Sequence, residues 1–289
     1  MHRSVQTRLM DLDRYFARIG LSAAPALSPD GLATLQGAHR RAIGFENLAI
    51  PLGERICIDS ESVFEKLVLR GRGGYCFEQN RLFSDVLSTL GLVNRPLLAR
   101  VMLGLAEGVV PPRTHTLLLV NLGGAAWIAD AGFGGSYVPP LPLEDGAQVQ
   151  TGDGAWHRLL RSGERGSLGG EWRLERAGPA SATDGRAAPH GDWQAQYVFD
   201  LGEVVPDDLE MSNHWTATRA GTRFTSFCVA SVVLEDGFAS LSDRQFTRSC
   251  TGVSEFRQIE SAAEYASLLS ETFGIALSED EAARLPIFR

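Results

Sequence analysis

Cys76 stands between a glycine-rich turn and the first turn of a helix in the segment RGGYCFEQN, residues 72–80. Leu82, Phe83, Val86, Leu87 and Leu90 follow at helical spacing, and Gly91 supplies a left-handed stop. This spacing predicts a helix that begins at Cys76. Unpaired amides and the positive end of the helix dipole favour a thiolate there, the form of cysteine that attacks carbonyl carbon. A cysteine nucleophile also needs a base to take its proton and a third group to hold that base in the right tautomer. RTHTLLLVNLGGAAWIADAGFGG offers both, because two strands flank Gly123-Gly124, a pair suited to a tight primed turn. If those two glycines form the loop, Asp130 lies opposite Leu117 and His115 opposite Gly132. His115 and Asp130 are then diagonal neighbours on one face, roughly 7 to 8 Å apart at the backbone, within reach of their side chains. A three-residue loop would put them on opposite faces.

Each residue also has a plainer reading by itself. A lone strand histidine is usually a satisfied polar residue, and Asp130 alone could cap the glycine turn after it. The order Cys76, His115, Asp130, with a register that joins the last two, is less easily dismissed. His39, His157, His190 and His214 lack an acid at a comparable strand position and read as structural, although His214, in SNHWTATRAGTRF, could lie near the site. Cys57, Cys228 and Cys250 lack the turn-and-helix setting. The four cysteines show no CxxC pair and no metal-type spacing with histidine, so neither a disulfide framework nor a metal site is expected. Cys228, in the strand-like run RFTSFCVASVVLE, reads as core.

The elements that must position these groups change period along the chain. The first ninety residues read as helical. Leu12, Tyr15, Phe16 and Ile19 form one stripe between an Asp11 cap and a Gly20 stop, and Ser28-Pro29 opens a second helix. A third carries Val63, Phe64, Leu67 and Val68, and the fourth starts at Cys76. From about 97 to 250 the period is that of strands, in LLARVML, HTLLLVNL, AAWIADA, WHRLLRS, EWRLERA, QAQYVFDL and FCVASVVLE, which suggests an antiparallel barrel or strongly curved sheet. Residues 178–192 lack periodicity and read as a solvated, mobile loop. Tyr265, Leu268, Leu269 and Phe273 mark a late helix stopped by Gly274, and Ser278 with Glu281 caps a short last one.

With 289 residues, 44% of them apolar, the chain can bury a sizeable core in two or three subdomains. A net charge of −8 argues against a nucleic-acid surface, which would show clustered lysine and arginine. No apolar run is long enough to span a membrane, and MHRSVQTRLMDLDRYF lacks the apolar core of a leader, so a cytoplasmic location is expected.

RGGYCFEQN, FENL at 45–48, THTLLLV and IADAGFGGSYVPPLPL together resemble the arylamine N-acetyltransferase family, and the match runs from DRYFARIGL to SNHWTATRAGTRF. The resemblance implies an α+β fold: a helical bundle over 1–92 carrying the nucleophile, an antiparallel β-barrel over 93–203 carrying His115 and Asp130, and an α/β lid over 204–289. It implies a papain-like triad of Cys76, His115 and Asp130. Acetyl-CoA is then the donor co-substrate, with no tightly bound cofactor, and a small arylamine, hydrazine or similar nitrogen nucleophile is the acceptor. GFGGSYVPPLPL, residues 132–143, is not a Walker motif, because the lysine and hydroxyl residue are missing. Its glycines could form an amide nest or simply a turn. The resemblance favours CoA contact by Gly134, Gly135 and Ser136. Phe45, Phe133 and Phe224 align with the family's aromatic pocket, and Arg72 with Glu46 matches its buried supporting ion pair. GFENL and RAGTRF lack prolines that relatives carry, which leaves acceptor preference open, as is the oligomeric state. The rival readings are a cysteine hydrolase or transglutaminase-like enzyme with the same triad, and a binding protein without turnover.

Overall fold

The computed structural model describes residues 10–106, 108–187, 192–250 and 253–289. His190 lies outside the described residues, as do the first nine residues of MHRSVQTRLMDLDRYF.

Local rules place the helices where the sequence predicts them. Helix α1 (Leu12–Ile19) is capped by Asp11, whose carboxylate accepts from the Arg14 amide, and ends on left-handed Gly20. Ser28 caps α2 (Pro29–Ala42), with Pro29 in the first turn. A two-residue strand β1 (Phe45–Glu46) precedes α3 (Ser60–Phe64), which runs into a π turn at Glu65–Leu69, and α4 (Cys76–Thr89) follows.

The barrel strands are β2 (Asn94–Val101), β3 (His115–Leu122), β4 (Ala125–Ala129), β5 (Leu141–Pro142), β6 (Gln148–Gln150), β7 (Trp156–Arg161), β8 (Trp172–Ala177) and β9 (Gln194–Phe199). They form one antiparallel sheet, nearly closed, in the order β5-β4-β3-β2-β9-β8-β7-β6. Its side chains alternate between two cores. Leu118, Val120, Leu122 and Ala129 pack with the helices, whereas Leu117, Ile128, Leu159 and Leu174 fill the barrel.

The C-terminal part holds α5 (Pro206–Thr218), α6 (Arg223–Ser226), β10 (Val229–Leu234), β11 (Gly237–Ser242), β12 (Gln245–Cys250), β13 (Val253–Gln258), α7 (Ala262–Phe273) and α8 (Glu279–Ala283). FCVASVVLE does not belong to the barrel. Its strand, β10, joins a second antiparallel sheet in the order β1-β10-β11-β12-β13, and Ala230 and Val232 pack with Tyr265 and Leu269. Strands β11 to β13 escape the apolar pattern because their cores are sparse: Phe238, Leu241 and Phe246 are buried, and all of β13 is exposed. Pairing of Phe45 with Ser231 and Glu46 with Ala230 ties the FENL segment to this sheet.

Residues 178–187 also depart from expectation. A single 3-10 turn at Ala180–Ala182 packs on Phe238 and Val233, and Ala182 and Thr183 are 3% and 4% exposed. Two small side chains are enough to dock it, and so short a patch carries no periodicity.

His39 is buried as a neutral imidazole: the Tyr15 hydroxyl donates to Nδ1, and Nε2 donates to Gln79 Oε1. Burial pushes its pKa down to about 3, against the Gln79 bond and with help from Arg40 and Arg18. The unfolded chain takes up this proton near pH 6.5, so stability falls as pH drops from there toward 3. Urea titrations between pH 7 and 5 should show that slope shallower in His39→Gln, by about 1.4 kcal/mol per pH unit at most.

Candidate active site

Cys76 is the first residue of α4 and is buried, yet it opens onto a cavity of about 320 Å³ that His115 also lines. The thiol donates to the carbonyl of Thr114, the residue before His115, at 3.6 Å. Gly123 and Gly124 both adopt positive φ, +61° and +86°, and form a two-residue loop with Leu122 paired to Ala125. This is the register that puts His115 and Asp130 on one face. His115 Nε2 lies 2.7 Å from Asp130 Oδ2, leaving Nδ1 for the thiol. Burial alone would lower the His115 pKa, but the Asp130 charge and hydrogen bond, with smaller contributions from Cys76, raise it to about 10. Asp130 is held below its ordinary range although burial opposes this, because His115, Asn80 and the Gly132 amide all favour the anion.

Sequence reasoning gave no role to the residues that fix this acid. Asn80 Nδ2 donates to Asp130 Oδ1 and to the Thr116 carbonyl, while Asn80 Oδ1 accepts from the Ala131 amide. Gln36 accepts from the Asp130 amide. Gln79 Nε2 is near the carbonyls of Gly44 and Gly74, at 2.9 and 3.1 Å, and so ties the glycine turn to the start of β1. The usable signal was spacing: Gln79 and Asn80 are three and four residues beyond Cys76, on its face of the helix. Buried Arg40 donates to the Phe133 carbonyl, and the Tyr197 ring lies 5.0 Å from that of His115.

The hairpin can approach α4 this closely because residue 132 has no side chain. A Cβ there would lie 2.6 Å from Asn80 Nδ2 and 2.7 Å from the Cys76 Cα, too near for either to yield. Gly132→Ala should therefore separate His115 from Cys76, lowering kcat/KM by about 10²-fold and stability by about 1–3 kcal/mol. Steady-state kinetics and thermal melts check both.

Phe45, Phe133 and Phe224 all line the cavity, and Phe224 packs on Phe45 and Tyr75 at 5.9 and 5.6 Å. The glycine run divides. Gly134 lines the cavity, with its chain against the Phe45 ring, whereas Gly135 is buried behind Phe133 and Leu103. Ser136 is fully buried and does not line the cavity, its hydroxyl lying 3.5 Å from Gln196 Oε1. His214 is exposed and does not line the cavity, although the next residues, Trp215 and Thr216, do. Burial pushes the Cys228 thiol up to about 12, helped by Asp243, and Cys57 is exposed.

Arg72 and Glu46, 2% and 0% exposed, form an ion pair at 3.3 Å. Three more charges, Lys66, Glu78 and Glu281, complete a network that pairwise sequence reading did not anticipate, with Glu281 Oε1 3.7 Å from Arg72 Nη1. Lys66 Nζ lies 2.7 Å from Glu78 and 3.8 Å from Glu46. Glu78 turns back to accept from the Tyr75 amide, so its charge is directed into the network. Burial leaves the Glu78 pKa raised despite Lys66, whereas Lys66 and Arg72 outweigh burial at Glu46 and lower its pKa. Arg72→Met should leave Glu46 with Lys66, 3.8 Å away, as its remaining cationic partner and cost about 3 kcal/mol, seen as a lower urea midpoint.

A family model described as N-acetyltransferase matches residues 30–282. The chain is 38% identical to an arylamine N-acetyltransferase of Escherichia coli over 271 residues, 93% of this chain and 90% of the relative. Its fold matches the arylamine N-acetyltransferase structure from Salmonella typhimurium with a TM-score of 0.83 and 34% identity, covering 95% of this chain and 97% of that one. The Mycobacterium marinum enzyme, solved in complex with CoA, matches with a TM-score of 0.82 and 31% identity, over 95% and 98% of the two chains. With helices, a nearly closed barrel and a second sheet arranged as in these structures, the chain belongs to the arylamine N-acetyltransferase family and is an acyltransferase.

Proposed function

We propose that this protein moves an acetyl group from acetyl-CoA to the nitrogen of an arylamine or arylhydrazine through an acetyl-Cys76 intermediate. The observation that carries this reading is the convergence of Cys76 and the His115–Asp130 pair on one apolar cavity. Cys76 attacks the thioester carbon as the thiolate, its proton held on His115 Nδ1, and the carbonyl electrons move onto oxygen. The Cys76 backbone amide, at the helix start, is the candidate donor to that oxyanion. Collapse expels CoA, which takes the proton back from His115, and one thioester replaces another at little net cost.

The acceptor then enters the vacated site. An arylamine is weakly basic and arrives with a free lone pair, so it attacks acetyl-Cys76 while His115 takes the proton released. Breaking the C–S bond restores the Cys76 thiolate beside the protonated His115. Two half-reactions sharing one nucleophile make the kinetics ping-pong. Phe45, Phe133 and Phe224 give the acceptor ring an apolar slot, and Gly134 is the member of the glycine run placed to meet the donor.

Acetyl transfer measured across arylamines, arylhydrazines, alkylamines and water tests the proposal. The expected order places the aromatic nitrogens first, with parallel double-reciprocal plots. Faster hydrolysis than aminolysis would favour a cysteine hydrolase and overturn it.

A further inference from the structure

Two features of the sequence have no part in that chemistry: the RAGTR stretch just before Phe224 and the segment after residue 178. The fold brings them together on the cavity wall. Asp184 Oδ2 accepts from Arg186 Nε at 2.7 Å and from Arg223 Nη2 at 3.2 Å, and all three residues line the cavity. Apart from the catalytic His115, the other cavity-lining residues carry no formal charge.

The cluster is built rather than incidental. The Asp184 amide donates to the Gly135 carbonyl, the Ser231 hydroxyl donates to the Gly134 carbonyl, and the 3-10 turn before Asp184 is packed on Phe238. The Asp184 side chain is 7% exposed and its two partners 25% and 27%. One carboxylate oxygen shared by two guanidiniums leaves a positive excess at the wall, although the whole chain carries −8. Asp243, more weakly coupled to Arg223, offsets part of it. Each guanidinium carries five N–H donors in a planar fork, and these bonds to Asp184 use one from each. Arg223 also directly precedes Phe224, so the cluster adjoins the aromatic wall near Cys76.

We infer that Arg186 and Arg223, preset by Asp184, recognise an anionic group on a substrate of the Cys76 site. The inference rests on the acetyl-transfer reading above. Two substrates could bring that group: the donor through a phosphate, or the acceptor through a ring carboxylate. Both chemistries match a guanidinium fork.

The test compares Arg223→Gln and Arg186→Gln with the parent protein. One arm takes the ratio of kcat/KM for acetyl-CoA to that for acetyl-pantetheine, which lacks phosphate. The other takes the ratio for 4-aminobenzoate to that for 4-methylaniline. Because each ratio is internal to one variant, a loss of folded protein cancels. A fall of about tenfold in the first ratio assigns the cluster to the donor, and a like fall in the second assigns it to the acceptor. If both ratios stay within about twofold of the parent's in both variants, the inference is overturned. Failure of the parent to transfer acetyl from any donor would instead overturn the reading on which it rests.

Discussion

Cys76→Ala is expected to abolish acetyl transfer, with kcat/KM falling by on the order of 10⁴-fold or more, while the protein folds and its melting temperature changes little. The wall around Cys76 is built by residues the substitution spares. Tyr75, Phe77 and Val229 pack beside it, and Gln79 and Asn80 hold the turn and the hairpin from the next helical turn. Alanine retains the Cβ and is a better helix former, so the loss is confined to one sulfur and its bond to Thr114. Without the sulfur, a bound amine would have to attack acetyl-CoA directly, and nothing in the site activates that path. Rates with and without Cys76, measured on samples of matched circular dichroism, check the prediction; substantial turnover in the alanine variant would mean that acetyl passes in a ternary complex.

Asp130→Asn should cost about 10³–10⁴-fold in the rate of Cys76 acetylation, for a reason visible in the hydrogen bonds. Two donors, Asn80 Nδ2 and the Gly132 amide, meet at Oδ1 of residue 130. Asparagine must keep its oxygen there. Its NH₂ group then faces His115 Nε2, which can only accept, so the imidazole proton moves to Nδ1. That nitrogen is the one needed to take the thiol proton. The substitution also removes the charge that holds the His115 pKa up near 10. Single-turnover acetylation gives the rate, and alkylation of Cys76 by iodoacetamide at neutral pH reports independently whether His115 still accepts the thiol proton. Unchanged alkylation together with unchanged acetylation would remove Asp130 from the proposed mechanism.

His115 binds its proton more tightly in the folded protein than in the unfolded chain, about 10 against 6.5. Its contribution to stability is therefore complete below pH 6.5 and is lost as pH rises through 10. His39 works oppositely, losing stability toward acid, so the two histidines push the stability maximum toward the middle of the range.

The parts of the site that were legible in the sequence are those fixed by local rules. Glycines and a helical stripe placed Cys76 at a helix start, and the length of one glycine loop determined that His115 and Asp130 share a face. Non-local structure hid the rest. Lys66 joins Glu46, Arg72 and Glu78 only because a π turn, a strand and a glycine turn converge. Asp184 meets Arg223 across 39 residues, through a turn docked by alanine and threonine side chains that carry no strong pattern. Ser136, two residues beyond the cavity-lining Gly134, is fully buried, which composition alone does not reveal. FCVASVVLE kept strand periodicity but changed sheets, since α5 and α6 intervene and its buried face finds α7. Period predicts an element; it does not choose the element's partner.

The claim on which everything else depends is that Cys76 carries the acetyl group between donor and acceptor. Intact-protein mass spectrometry after incubation with acetyl-CoA and no amine tests it directly. The proposed mechanism predicts a gain of one acetyl group per chain, located by peptide mapping on Cys76 and discharged when an arylamine is added. Turnover with amine present, but no acetyl group on Cys76 before or during it, would contradict it.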